Sequence, residues 1–151
     1  QVMDFRDKNP LITHQWRLHD RNFKSSSGED YEVELLSGRT MHFFNIRPEL
    51  DGFTCKTQLR APRRSYFYGA NIFQNGIQSL ARDCFAHHLL TLYKMGWTPV
   101  MHVHDELMLE VPEEDVERAV EDVRNIMTTP PDWLSGLPLE ADVMVTERYE
   151  K

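Results

Sequence analysis

The stretch Thr98 to Pro112, TPVMHVHDELMLEVP, constrains the fold of this 151-residue chain more than any other. Two short runs rich in Val, Leu and Met flank His104-Asp105-Glu106, and Pro112 closes the second run, so the stretch reads as a β-hairpin with an acidic tip. Side chains alternate along a strand, placing Met101 and Val103 on one face and Val100 and His102 on the other, with Leu107, Leu109 and Val111 continuing the apolar pattern. Both arms are expected to be packed and only the tip wet. Two adjacent carboxylates beside an imidazole suit a divalent cation such as Mg²⁺, which takes one or two carboxylates and leaves its other positions to water and substrate phosphates. A plain solvent-exposed turn is the competing reading, because Asp is common in turns for local hydrogen-bonding reasons.

Charge narrows the possible partners. The net charge of -7 gives the chain no overall electrostatic footprint for nucleic acid, so any phosphate contact must be local. The clearest basic cluster is Arg60, Arg63 and Arg64 with Lys56 nearby, while acids gather after Pro112. Cys55 and Cys84 are too few for a disulfide framework, in keeping with a reducing compartment. No apolar run is long enough to span a bilayer and no signal pattern opens the chain, so the sequence reads as soluble, cytoplasmic and without a membrane partner. Gln1 is not an ordinary start, which makes the chain readable as a piece of something longer.

Periodicity then orders the elements. Asn9-Pro10 opens an amphipathic helix through Leu11, Ile12, Gln15 and Trp16, on which His14 and His19 read as surface groups. Tyr31, Val33, Leu35, Met41 and Phe43 alternate around Ser37-Gly38 as a second hairpin, and Pro48 to Pro62 reads as irregular. Apolar residues recur helically from Tyr68 to Met95, before Gly96. Gln74, Gln78 and Arg82 fall at i, i+4 and i+8 on that helix, a polar stripe that is either a solvated face or a reader of a groove edge or phosphate line. His87 and His88 near its end are explained by the helix macrodipole. Residues 113–127 form another helix whose first acids, Glu113, Glu114 and Asp115, complement its N-terminus, and LEADVMVTERY alternates as a last strand. The expected architecture is α+β, an antiparallel sheet with the central hairpin covered by helices, in a single unit 1–151.

These residues carry a resemblance. VMHVHDELMLEVP resembles the third motif of family A DNA polymerases, the bacterial polymerase I kind. QNGIQSLARD, about two dozen residues before the tip, is similar to the bacteriophage branch, as are FRDKNPLITHQW, LLSGRTMHF and PPDWLSGLPLEADVMVTERYEK. The resemblance covers essentially the whole chain. It implies the C-terminal part of the palm of a right-hand polymerase, with residues 1–25 ending the fingers or connecting fingers to palm. Asp105 is then the palm carboxylate binding the catalytic Mg²⁺ ions, and Glu106 the more peripheral carboxylate. His104 lies against the primer end, Gln78 contacts the primer-template minor groove, and Arg82 and Gln74 are less secure DNA contacts.

The resemblance further implies templated nucleotidyl transfer by two Mg²⁺ ions shared with a second aspartate absent from this chain. Its partners would be primer-template DNA, a dNTP and the remaining N-terminal part of the polymerase, supplied in cis or in trans; a phage-encoded enzyme would work in the host cell cytoplasm. One Asp-Glu pair cannot hold two cations about 3.5–4 Å apart, so the chain alone is expected to be inactive. Two other readings stand beside this one: a non-catalytic nucleic-acid or protein-binding module with a palm-like fold, and a small metal hydrolase on His102, His104 and Asp105. The hydrolase is disfavoured because His102 sits within an apolar strand and no third ligand is spaced to join it.

Overall fold

A proline and a glycine mark where two of the helices begin. Pro10 occupies the first turn of the second helix, where its missing N–H would be unpaired in any case. Gly69 starts the longest one at a contact so close that a Cβ there would stand 2.0 Å from the Trp16 carbonyl oxygen. The computed structural model describes residues 2–58, 60 and 63–148. Within these, the elements run α1 (Val2–Lys8), α2 (Pro10–Ser25), β1 (Tyr31–Glu34), β2 (Thr40–Pro48), β3 (Phe53–Lys56), β4 (Ser65–Phe67), α3 (Gly69–Lys94), β5 (Pro99–Val103), β6 (Glu106–Leu109) and α4 (Val116–Thr128). Glu113–Asp115 and Asp132–Leu134 are single 3₁₀ turns. This is the α+β class with antiparallel strands and helices that the sequence implies. Two compact units divide it, Gln1–Leu80 and Ala81–Lys151, and α3 contributes residues to both.

The first unit is a four-stranded antiparallel meander in the order β1-β2-β3-β4. Phe43, Ile46, Phe53, Cys55 and Phe67 fill one face of it, closed by Phe23 from α2 and Ile72 from α3. Phe23 is fully buried, its ring centroid 5.3 Å from those of both Phe43 and Phe53 and 4.6 Å from that of Tyr31. Losing such a ring to Ala costs on the order of 3–5 kcal/mol, so the aromatic cluster is the main anchor of this unit. Between Phe44 and Arg47 the pairing slips, and Asn45 takes a positive φ of 53°. The Asp30 carboxylate accepts its N–H at 2.8 Å and Arg64 donates to its carbonyl oxygen.

The second unit packs Leu92, Trp97 and Ala119 with Leu107, Leu109, Val111, Val123 and Ile126. This is where the hairpin β5–β6 is seated, by β6 more than by β5. Trp97 is nearly buried, donating from Nε1 to Asp122 Oδ2 at 2.9 Å, and the Arg118 guanidinium lies 5.3 Å from its ring centroid.

Several expectations need correction. The irregular reading of 48–62 missed β3, and α1 and β4 were not anticipated; Pro62 lies outside the described residues. β5 is not packed on both faces, since Val100 is 55% and Met101 40% exposed. His88 is no exposed macrodipole partner: it is buried, and its Nε2 donates to the Thr129 carbonyl at 3.0 Å. Burial lowers its pKa below the ordinary histidine value, opposing the positive charge that a macrodipole role needs. His19 is half-buried rather than a surface group, and desolvation lowers its pKa as well.

The last predicted strand shows why alternation is not sufficient. Leu139, Ala141 and Val143 are half-buried while Glu140, Asp142 and Met144 are exposed, so the two-residue period is present. Yet residues 138–146 join no sheet among the described residues, and Tyr149 lies outside them. A ladder also needs a neighbouring strand to take the backbone hydrogen bonds.

Candidate active site

Val103 pairs with Glu106, so the hairpin closes through a loop of only His104 and Asp105. Two-residue loops match the twist of the flanking strands only when a residue takes positive φ, a position that usually falls to Gly, Asn or Asp. Here His104 takes it, at 54°. A side chain in the left-handed region costs on the order of 1 kcal/mol or more, so the turn holds some strain. The physical effect is a short tip that presents three consecutive polar side chains.

All three residues are exposed. Among the described residues, no side-chain hydrogen bond or ion pair engages Asp105, Glu106 or His104. Asp105 sits in the loop and Glu106 is the first residue of β6, which leads directly into Leu107 and Leu109 of the buried cluster. The carboxylates are thus fixed at the backbone, and no side chain among the described residues engages their oxygen atoms. His102, on β5, is exposed with its ring 6.0 Å from that of Phe85 at a steep angle.

No group of three His, Cys, Asp or Glu able to hold a metal occurs among the described residues. A pair of carboxylates still suits part of a Mg²⁺ site, because that ion takes one or two protein carboxylates and completes its shell with water and phosphate oxygens. The donor set at the tip therefore fits a shared site.

The polar residues of α3 divide between the units. Gln74 and Gln78, in the first, are exposed with no side-chain partner among the described residues. Arg82, in the second, is also exposed, its guanidinium 5.6 Å from the Phe85 ring centroid. That ring stiffens a long side chain by cation–π contact, a constraint that spacing alone could not show. Of the predicted site residues, the hairpin itself brings together His104, Asp105 and Glu106. Of the predicted basic cluster, Arg64 is committed internally, donating from Nε to Thr54 Oγ and from Nη2 to the Asn45 and Thr54 carbonyls.

Sequence reasoning passed over one set of side chains, His42, Phe44 and Tyr66, which stand on the face of the meander opposite the core. The alternation of His42 and Phe44 against Phe43 was readable in sequence, whereas Tyr66 joins them only through the cross-strand register of β3 and β4.

A DNA polymerase of Bacillus phage SP02 is 38% identical to this chain over 141 residues, covering 88% of the chain and 21% of that protein. The chain thus spans about a fifth of the length of the relative it matches. No family model and no solved structure matches it.

Proposed function

We propose that this chain, related in sequence to a phage DNA polymerase, is the C-terminal portion of a family A palm and takes part in templated nucleotidyl transfer. The observation that carries the reading is the two-residue tip, which holds Asp105 and Glu106 side by side, exposed and without side-chain partners among the described residues. The order of the matching segments along the chain supports it.

In this reading Asp105 is the principal ligand of Mg²⁺ and Glu106 a peripheral one. When bound, the two ions lower the pKa of the primer 3′-hydroxyl and stabilise charge on the transferred phosphoryl group. The protein's own part is to hold negative charge at a fixed point: the short loop, and half-buried Leu107 and Leu109 of β6 packed against the second unit's cluster, keep the carboxylates from drifting by the ångström that costs catalysis heavily. His104, at the strained corner, stands beside the primer end. Gln78 donates its amide to acceptors in the minor groove, where every base pair offers one, so it holds a duplex without reading sequence. Gln74 and Arg82 extend that contact along α3.

One carboxylate facing the ions directly and a second at their periphery are too few ligands to hold two divalent ions about 3.5–4 Å apart, so this reading takes a second aspartate and a nucleotide-binding helix from the remainder of the enzyme, in cis or in trans. The test compares purified 1–151 alone with the same chain joined to the rest of its polymerase, measuring Mg²⁺-dependent extension of a primed template. Extension is expected only from the joined protein. Robust incorporation by 1–151 alone would contradict the shared-site reading, and a joined protein that binds DNA without extending it would favour the non-catalytic alternative.

A further inference from the structure

The four-stranded sheet has one covered face and one open one. Phe43, Cys55 and Phe67 point into the core against Phe23 and Ile72. Alternation sends His42, Phe44, Lys56 and Tyr66 the opposite way. There the His42 and Phe44 rings lie 5.8 Å apart and within 5° of parallel. Lys56 is the direct cross-strand partner of Phe44. The next row reads Arg47, Thr54, Tyr66 across three strands. Tyr66 is 49% exposed, with Tyr68 beside it at 6.5 Å between ring centroids.

Charge on this face is sorted. Arg47 and Lys56 flank the rings, and Arg64 adds a third cation whose hydrogen bonds on Thr54 and Asn45 go to neutral oxygens. Glu32 and Glu34 stand on β1, where Glu32 meets His42 Nδ1 at 2.9 Å, and Glu49 accepts from Thr54 Oγ at 3.1 Å. The end of the face that carries Phe44 and Tyr66 is therefore net basic on a chain of net charge -7. A solvated sheet face usually presents Thr, Lys and Glu; an exposed Tyr66 ring and a half-buried Phe44 ring among cations leave apolar area that suits a partner with its own flat faces and negative charge.

We infer that the open face of this sheet binds single-stranded DNA, with bases stacking on Phe44 and Tyr66 and phosphates on Arg47 and Lys56. Aromatic rings interleaved with cations suit unpaired bases, whose π faces are available, and not a duplex, whose bases are already stacked. The choice of DNA rests on the polymerase reading, in which the strand is an unpaired stretch of template; the stacking and phosphate chemistry rests on the sheet alone.

The test is fluorescence anisotropy of a labelled oligothymidylate with the full chain at low salt and without Mg²⁺ or nucleotide, so its failure leaves the hairpin reading standing, and the converse holds too. Phe44→Thr and Tyr66→Thr keep strand propensity and remove the rings. Each is expected to weaken binding about tenfold, the scale of one lost base–aromatic stack, with an unchanged circular dichroism spectrum. Lys56→Glu should weaken binding and flatten the slope of log affinity against log salt by about 0.7, as for one lost phosphate contact on a single strand. Unlabelled duplex should compete poorly. Absence of binding, equal competition by duplex, or wild-type affinity in folded ring and charge variants would each overturn the inference.

Discussion

The footing of the hairpin tip depends on one polar contact inside an apolar cluster, the 2.9 Å hydrogen bond from Trp97 Nε1 to Asp122 Oδ2. Trp97 is 8% exposed and packs among residues that include Leu107 and Leu109 of β6. A hydrogen bond to a charged acceptor contributes roughly 1.5–3 kcal/mol, and the partial exposure of Asp122 puts this one near the lower end. The same carboxylate meets Arg118 at 3.7 Å, but that partner is mostly exposed and adds at most a few tenths of a kcal/mol. Asp122→Ala loses the bond and strands the indole N–H, while gaining about 0.5 kcal/mol of helix propensity in α4; the net cost is about 1–2 kcal/mol. Trp97→Phe loses the bond together with part of the indole's buried area. The double variant should cost less than the sum of the two, with a coupling of about 1–2 kcal/mol. Urea unfolding followed by circular dichroism measures it in all four proteins of the cycle. Strictly additive losses would show that the bond stabilises nothing, and the account of how the hairpin is seated would fail.

Four linked expectations concern other positions. His88 is held neutral by burial, so its folded pKa lies below its unfolded one; its contribution to stability is complete above about pH 6.5 and is lost as pH falls through that value toward the folded pKa. His88→Gln, able to donate to the Thr129 carbonyl, should flatten that acid-side slope in a series of denaturant midpoints, leaving the same-sign contribution of His19. His104→Gly should stabilise, or at worst leave unchanged, the hairpin by relieving positive φ, whereas His104→Val should destabilise it by about 1–2 kcal/mol, as thermal melts would show. Exposed Val100 and Met101 should give dye binding by purified 1–151 that Val100→Thr with Met101→Thr reduces.

The parts of this structure that follow from local pattern were legible. Helical recurrence from Tyr68 to Met95 is realised as α3, and the alternations around Ser37-Gly38 and His104-Asp105 become the two hairpins. What the pattern could not convey depends on neighbours. β3 is four residues and β4 three, shorter than a periodicity can establish; β3 exists because β2 offers an edge to pair with, and β4 because β3 does. Leu139 to Met144 shows the reverse case, alternation without a ladder. His88 reads as a charged group at a helix end until Thr129 closes over it. At the tip, the residue types Asp105 and Glu106 were visible in sequence, but the left-handed backbone of His104 was not, because no glycine marks it. The open aromatic face was overlooked since His42, Phe44 and Tyr66 are ordinary strand formers one at a time; cross-strand register is what gathers them.

The measurement that bears most directly on the central claim is single-turnover nucleotide incorporation by Asp105→Asn and Glu106→Gln, made in the joined polymerase across a Mg²⁺ and Mn²⁺ titration. Asn keeps the size of Asp105 and removes its charge, so turnover should fall by several orders of magnitude, the scale of losing roughly 4 kcal/mol or more of transition-state stabilisation. Primer-template affinity should stay nearly unchanged. Glu106→Gln should cost less, because in this reading Glu106 is the peripheral ligand and Asp105 the one that faces the ions directly. Equal and mild losses for both variants would mean that the tip is an exposed turn and that Asp105 holds no catalytic cation.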